Sequence, residues 1–317
     1  MKLWQSLMIG LARSGRVSRF MHRNAATSAL ARRFVGGRDL AAAIETARVL
    51  QRRGVRVSLF YLGEYVSDLG IVQKTVAQKV AAIEALAGAG LDIHLSVDPT
   101  QIGYSIDPEL GRRGALAIGQ ALVRQAVGGR NDRRDFLMLD MEDWTLAEPT
   151  LKLRGELAAA GVPVAQTLQA YLRRTAADLE PIIAAGGAVR LVKGAFVDRT
   201  TRAFASRAEI DSNYRVLADR MLSADARETG FYPIFGTHDD GIAFDILALA
   251  MARGWPADGY EFEMLYGVRQ ELQQCLLAEG ARLRLYLPFG EAWFPYAIRR
   301  VGESPRNIRL ILRALTS

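Results

Sequence analysis

Cysteine is nearly absent and histidine scarce in the 317 residues, and both shortages limit the chemistry. A single cysteine, Cys275, forms no internal disulfide and, without a partner, no zinc site of the CxxC kind. Its helical spacing from Leu272 and Leu276 predicts a small buried hydrophobe rather than a nucleophile. His22, His94 and His238 are too scattered for HExxH or any other local ligand pattern, so no metal is expected. No apolar run approaches the roughly 18 residues of a membrane span. No GxGxxG follows the first candidate strand, which excludes a Rossmann dinucleotide fingerprint. The 29 glycines lack a three-residue period, which excludes collagen.

What is present reads as a globular chain, half apolar and 24% charged, with a formal net charge of +7. Acidic residues are missing before Asp39, whereas Lys2, Arg13, Arg16, Arg19, Arg23, Arg32, Arg33 and Arg38 precede it. Leu7, Met8, Leu11, Val17 and Phe20 add helical spacing, so residues 1–45 are expected to form a basic helical segment ahead of a catalytic domain over 46–317. The plain reading packs these helices on the domain with a solvated basic face. The other lays them on an anionic membrane surface. Nucleic acid is not expected, because no recognition motif or interleaving of aromatic with basic residues accompanies the charge. A secretory signal is not expected either, since Gln5, Ser6 and Arg13 interrupt the apolar stretch. The expected compartment is the cytoplasm, with peripheral contact at the inner membrane face left open.

Beyond residue 40, short β-branched runs alternate with longer helical stretches. Candidate strands lie at 55–59, 91–97, 136–140, 162–169, 188–192, 232–237, 260–264 and 283–288. Their centres fall roughly 32 residues apart, the length of a βα unit, and eight such units predict a (β/α)8 barrel. Polar residues gather where these strands end: Glu64, Asp98, Asp140, Gln169, Lys193, His238, Glu263 with Tyr266, and Tyr286. Each alone is an ordinary loop residue, but in a barrel all project to the face that carries active sites.

Three strings give the chain a resemblance to the proline dehydrogenase family: Arg190-Leu-Val-Lys-Gly-Ala195, Phe235-Gly-Thr-His238 and Tyr296-Ala-Ile-Arg-Arg300-Val-Gly-Glu303. Weaker matches at 62–64, 139–143, 169–171, 260–267 and 286–290 occur in the expected order, so the likeness covers roughly residues 30–315. It implies an FAD-dependent barrel that oxidises proline to 1-pyrroline-5-carboxylate and passes electrons to a quinone-type acceptor. It also implies FAD contacts from Arg190, Val192, Lys193, Gly194 and Ala195, with Gln169 near the isoalloxazine and Thr237 and His238 at the cofactor's polar portion. Gly194 fits independently, because a residue without Cβ permits close backbone approach. Lys193 taken alone is a solvated lysine at a strand end.

Arg299 and Arg300 offer two guanidinium forks to one substrate carboxylate. In isolation such a doublet reads as a surface ion pair; Tyr296 and Glu303 at fixed spacing favour a site. Tyr296 and Tyr286 would wall a small ring substrate. Glu64 matches a family position that pairs with Arg300 in a lid, although a glutamate starting a helix is an equal reading. Asp140 matches the family's third-strand aspartate.

Two positions depart from the family pattern. The second strand of the family normally ends in a lysine that joins the arginine pair around the carboxylate, and here Asp98 stands in that place. Two unit charges about 4 Å apart interact by roughly 4 kcal/mol at an effective dielectric near 20. Ordinary proline is therefore expected to bind less well, unless Asp98 turns away to an arginine, and Asp98→Lys is expected to raise activity with it. Asp98 facing Asp140 would also favour a protonated acid or a bound cation. The second departure is Phe196, where the family commonly has tyrosine. Two alternatives follow: the same chemistry on a different cyclic amine, N-substituted amino acid or hydrazine-like substrate, and a flavin-binding protein without catalysis. No histidine is an obvious base, which leaves solvent or Asp140 for the amine proton.

Overall fold

The computed structural model describes residues 33–63, 68–126, 134–194 and 200–302, the side chains at 298, 299, 301 and 302 excepted. Eight parallel strands close into a barrel in sequence order. They are β1 (Arg56–Tyr61), β2 (His94–Val97), β3 (Phe136–Leu139), β4 (Val164–Gln169), β5 (Ala188–Val192), β6 (Tyr232–Gly236), β7 (Glu261–Leu265) and β8 (Leu283–Phe289). Closure comes from six register pairs between β1 and β8, from Arg56↔Arg284 to Tyr61↔Phe289. All eight expected strands exist, and most differ from expectation at an end by one to three residues.

The strands are buried on both faces because helices cover the outside, with the apolar residues concentrated on the face toward the helices. Val57, Leu59, Leu95, Val97, Leu137 and Leu139 belong to the large core between sheet and helices, while Met138, Ala165, Ala188, Tyr232 and Ile234 form a small apolar cluster with Phe136 within the barrel. The surrounding helices are α1 (Leu40–Gln51), α2 (Leu69–Gly88), α3 (Pro108–Gln125), α4 (Ala147–Ala159), α5 (Thr175–Ala184), α6 (Arg207–Met221), α7 (Ala224–Glu228), α8 (Asp240–Ala252), α9 (Gln270–Ala278) and α10 (Trp293–Gly302). Side-chain caps start several of them: Asp39 accepts from Ala42 N at 2.8 Å, Asp68 from Ile71 N at 3.0 Å, and Ser206 with Glu209 forms a capping box.

α1 crosses residue 45, the expected domain boundary, and packs on β1 and β8. The basic run of residues 1–32 lies outside the described residues. Cys275 is exposed, contrary to the expectation of burial. On α9 it is Leu272, Gln273 and Leu276 that face the barrel, and the intervening helical angle turns Cys275 to solvent. Among the described residues no helix is long and apolar enough to cross a membrane.

The closed end of the barrel holds a buried ionic layer. Arg284 has no exposed surface; it donates to Glu261 at 2.6 and 3.1 Å, to Asp92 at 2.9 Å and to the carbonyl of Val57 at 2.7 Å. Arg56 holds the other side of Asp92 at 2.7 Å.

Candidate active site

The strand C-termini open into a cavity of about 940 Å³, at the upper end of the usual range for small-molecule sites. Twelve of the sixteen residues singled out from the sequence line it: Asp98, Asp140, Gln169, Arg190, Val192, Lys193, Gly194, Thr237, His238, Tyr286, Tyr296 and Arg300. Their clustering follows from the parallel barrel, where every strand delivers its last inward residue to the same rim. The remaining four are Glu64, Ala195 and Glu303, which lie outside the described residues along with Phe196, and Arg299, whose side chain does.

Arg190 stands at the centre of the cavity floor. It donates to Glu263 at 2.6 Å, to Thr167 at 2.9 and 3.1 Å, and closely to Oδ1 of Asp140. Burial opposes its charge, but Asp140 and Glu263 outweigh that opposition and keep the guanidinium above its ordinary value. Asp140 also accepts from Ser96 Oγ at 3.2 Å and from Tyr286 Oη at 2.9 Å. Burial first, and then the Asp140 and Asp98 charges, push the Tyr286 hydroxyl well above its ordinary value, so it acts as a donor. The Tyr286 ring lies 5.0 Å from Phe60 and beneath the Arg190 guanidinium at 5.4 Å. Across the mouth, Arg300 lies over the buried ring of Tyr296 at 5.2 Å.

The rim differs from the expected picture at Lys193. Its ammonium pairs with Asp211 at 2.5 Å and Asp239 at 3.0 Å, so its charge is already shared between two carboxylates. Asp239 is placed there as the N-cap of α8. Gly194 has φ +99°, a conformation that favours glycine, and a Cβ there would collide with the Tyr171 ring. His238 Nε2 accepts from the Leu265 amide at 2.9 Å, which leaves the ring proton on Nδ1. Burial, then Arg300 and Arg269, bring its pKa down to about 4. His238 is thus neutral, with Nε2 engaged by the Leu265 amide.

The donor set fits the implied flavin. The cavity has the necessary volume, and Gln169 anchors its amide nitrogen on the carbonyls of Met141 and Glu142 at 3.3 and 3.2 Å. That leaves the buried Oε1 of Gln169 without a partner among the described residues. Such an orphan facing a cavity suits a polar ring atom.

Two groups escaped the site reading. Glu263 was noted as a strand-end residue without a role; it is a buried partner of Arg190, and burial pushes its carboxyl above the usual range despite that neighbour. Lys79, on α2, is fully buried close behind the wall made by Phe60 and β2. Its signal was available: it occupies the apolar period of Val72, Thr75, Ala82, Ile83 and Leu86, where a lysine is out of place. Burial lowers its pKa to about 8, and the charges of Asp98 and then Asp140 oppose that fall. Deeper in the barrel, ligand atoms of His94, Glu261 and Glu263 lie within 4.8 Å of one another. Arg284 and Arg190 already neutralise these carboxylates, and their charges oppose a metal ion there.

The sequence profile of the proline dehydrogenase family matches residues 43–309. The chain is 34% identical over 290 residues to the proline dehydrogenase of Deinococcus radiodurans, covering 90% of both. It is 31% identical over 306 residues to proline dehydrogenase 2 of Bacillus subtilis, covering 96% of both. Its fold is similar to that of proline utilization A from Bdellovibrio bacteriovorus inactivated by N-propargylglycine, with TM-score 0.76 and 20% identity over 87% of this chain. The chain spans about a third of the length of that larger protein, 32%.

Proposed function

The chain belongs to the proline dehydrogenase family, FAD-dependent oxidoreductases acting on CH–NH groups, and from that premise we propose that it oxidises L-proline to 1-pyrroline-5-carboxylate at this cavity and delivers the electrons to a quinone-type acceptor. The observation that carries the reading is the convergence of Asp140, Arg190, Tyr286, Tyr296 and Arg300 on one cavity from β3, β5, β8 and α10. FAD, when bound, accepts two electrons and a hydrogen from the carbon next to the amine. Gln169, Arg190, Val192, Gly194, Thr237 and His238 are the described residues that would hold it, together with Lys193 once that side chain exchanges an aspartate for a cofactor oxygen.

The remaining groups bind and orient. Arg300, with Arg299 beside it on α10, takes the substrate carboxylate. Tyr286 and Tyr296 cover the apolar ring and exclude water from the reacting carbon. Asp140 already accepts from Arg190, Ser96 and Tyr286, so most of its acceptor capacity is in use. It therefore acts as a fixed anion that aligns Arg190 and Tyr286, and the amine proton leaves to solvent before transfer. The rival substrates drew on Asp98, whereas the family match and the relatives, themselves proline dehydrogenases, support proline. A non-catalytic flavin protein finds no support in a site with this many converging groups. Contact between residues 1–38 and an anionic membrane surface is a separate proposal, tested by co-sedimentation with anionic vesicles.

Anaerobic mixing with a panel of cyclic and acyclic amines tests the main reading. The purified protein is expected to be yellow, with FAD released by denaturation, and L-proline is expected to bleach it fastest. A colourless protein that fails to take up FAD, or bleaching by other amines but not by proline, overturns the reading.

A further inference from the structure

Lys79 has no exposed surface, and none of the steps above uses its ammonium. α2 carries it on the buried face, from which Nζ donates to the carbonyl of Ser96 at 2.9 Å and lies 5.3 Å from the centroid of the Phe60 ring. Both contacts attract a cation. Both lead to the cavity: Phe60 lines it, and Ser96, behind the lining, donates through its hydroxyl to Asp140 and stands two residues before Asp98. A buried ammonium left without counter-charge is costly. The two carboxylates that act on this one are Asp98, from the end of β2, and Asp140, from the end of β3.

We propose that Lys79 is a positioning residue of the reaction: from behind the wall it balances Asp98 and Asp140, so that the mouth admits a substrate carboxylate. The inference rests on the proline-oxidising reading above and deepens it. A helix carrying Lys79 places a cation one layer outward from the strand that ends in Asp98, where it cancels the charge of that carboxylate. Substituting Asp98 by lysine alone then puts two ammonium groups together and gains no proline activity.

The charge on Lys79 has a pH signature. Burial lowers its pKa, opposed first by Asp98 and then by Asp140, to about 8. Below that pH the ammonium is present, and as pH rises through it the mouth loses one positive charge.

The test uses FAD-loaded enzyme and cyclopentanecarboxylate, which matches the proline ring and carboxylate but has no titratable amine, with binding read from the flavin spectrum. Wild-type affinity is expected to fall as pH rises through about 8, and in Asp98→Asn the fall moves to lower pH, because a group that raises the Lys79 pKa is gone. Lys79→Met is expected to weaken binding by at least about tenfold at pH 7 and to abolish the pH effect, with KM for proline rising more than kcat falls. Lys79→Met/Asp98→Lys, which puts a cation at the strand end and removes the Asp98 charge, is expected to bind at least as tightly as wild type. Binding by Lys79→Met that equals wild type, a double variant no better than Lys79→Met, or a wild-type profile flat between pH 7 and 9 overturns the role of Lys79. The wild-type and Asp98→Asn titrations decide the matter even if Lys79→Met does not fold. Loss of proline turnover by the wild type would instead overturn the functional reading.

Discussion

The Tyr286 hydroxyl donates to one oxygen of Asp140 at 2.9 Å while Arg190 holds the other, so a ring from β8 and a guanidinium from β5 fix a carboxylate at the end of β3 from two sides. Tyr286→Phe removes one of these constraints but keeps the ring. Hydrogen bonds to charged groups contribute about 1.5–3 kcal/mol. Urea unfolding should show a loss of that order, and steady-state kinetics should show KM for proline rising more than kcat falls.

Arg190→Met leaves two buried carboxylates, Asp140 and Glu263, without their cation. Breaking a buried pair from one side costs about 3–5 kcal/mol. The expected result is a lower urea midpoint and a reduced ratio of flavin to protein absorbance. Arg190→Lys should recover little, because an ammonium cannot replace the planar fork that serves Asp140, Glu263 and Thr167 together.

Arg300→Met should weaken L-proline by about 2–5 kcal/mol, the range for truncating one partner of a desolvated charge pair. Amines that lack a carboxylate should be affected much less. Kinetics on a matched pair of substrates, one with and one without the carboxylate, measure the difference.

Gly194→Ala meets two obstacles, a positive φ and the Tyr171 ring. An L-residue in the left-handed region costs about 1–2 kcal/mol before any collision is counted. Because Gly194 sits at the cavity rim, cofactor retention should suffer more than folding. Flavin release on dilution should accelerate while the far-ultraviolet spectrum stays unchanged.

His238 makes acid stability legible. Its folded pKa of about 4 lies below its ordinary value of 6.5, so the unfolded chain takes up the proton first as pH falls. Its contribution is present above pH 6.5 and is lost progressively down to pH 4, by up to about 3 kcal/mol at 1.36 kcal/mol per unit. His238→Gln should flatten the dependence of the urea midpoint on pH across that window.

The barrel was readable because alternation and length speak locally: the candidate strand at 188–192 coincides with β5. At 91–97 the expected strand exceeds the observed one, since Leu91 and Ile93 are apolar and buried yet precede the ladder that begins at His94. The rim was readable because strand ends share a face. What the pattern could not display were partners far away in the chain. The partners of Arg190, Asp140 at 50 residues' distance and Glu263 at 73, carry no local mark in the chain around it. Lys79 lies outside the set of strand ends and reaches the cavity wall from a helix, marked only by a charge in an apolar period.

Arg284 ties the two ends of the barrel together in time as well as in space. Its partners are the Val57 carbonyl, 227 residues away, and Asp92, 192 residues away, besides Glu261 on the adjacent strand. So remote a set of contacts forms late, after the entropy of closing the chain has been met. Glu261 comes with the neighbouring strand, but Asp92 and the Val57 carbonyl reach Arg284 only when β8 seams to β1, so closing the barrel completes the neutralisation of this core. Any opening that parts β8 from β1 therefore strips this guanidinium of two of its partners and calls for water in their place.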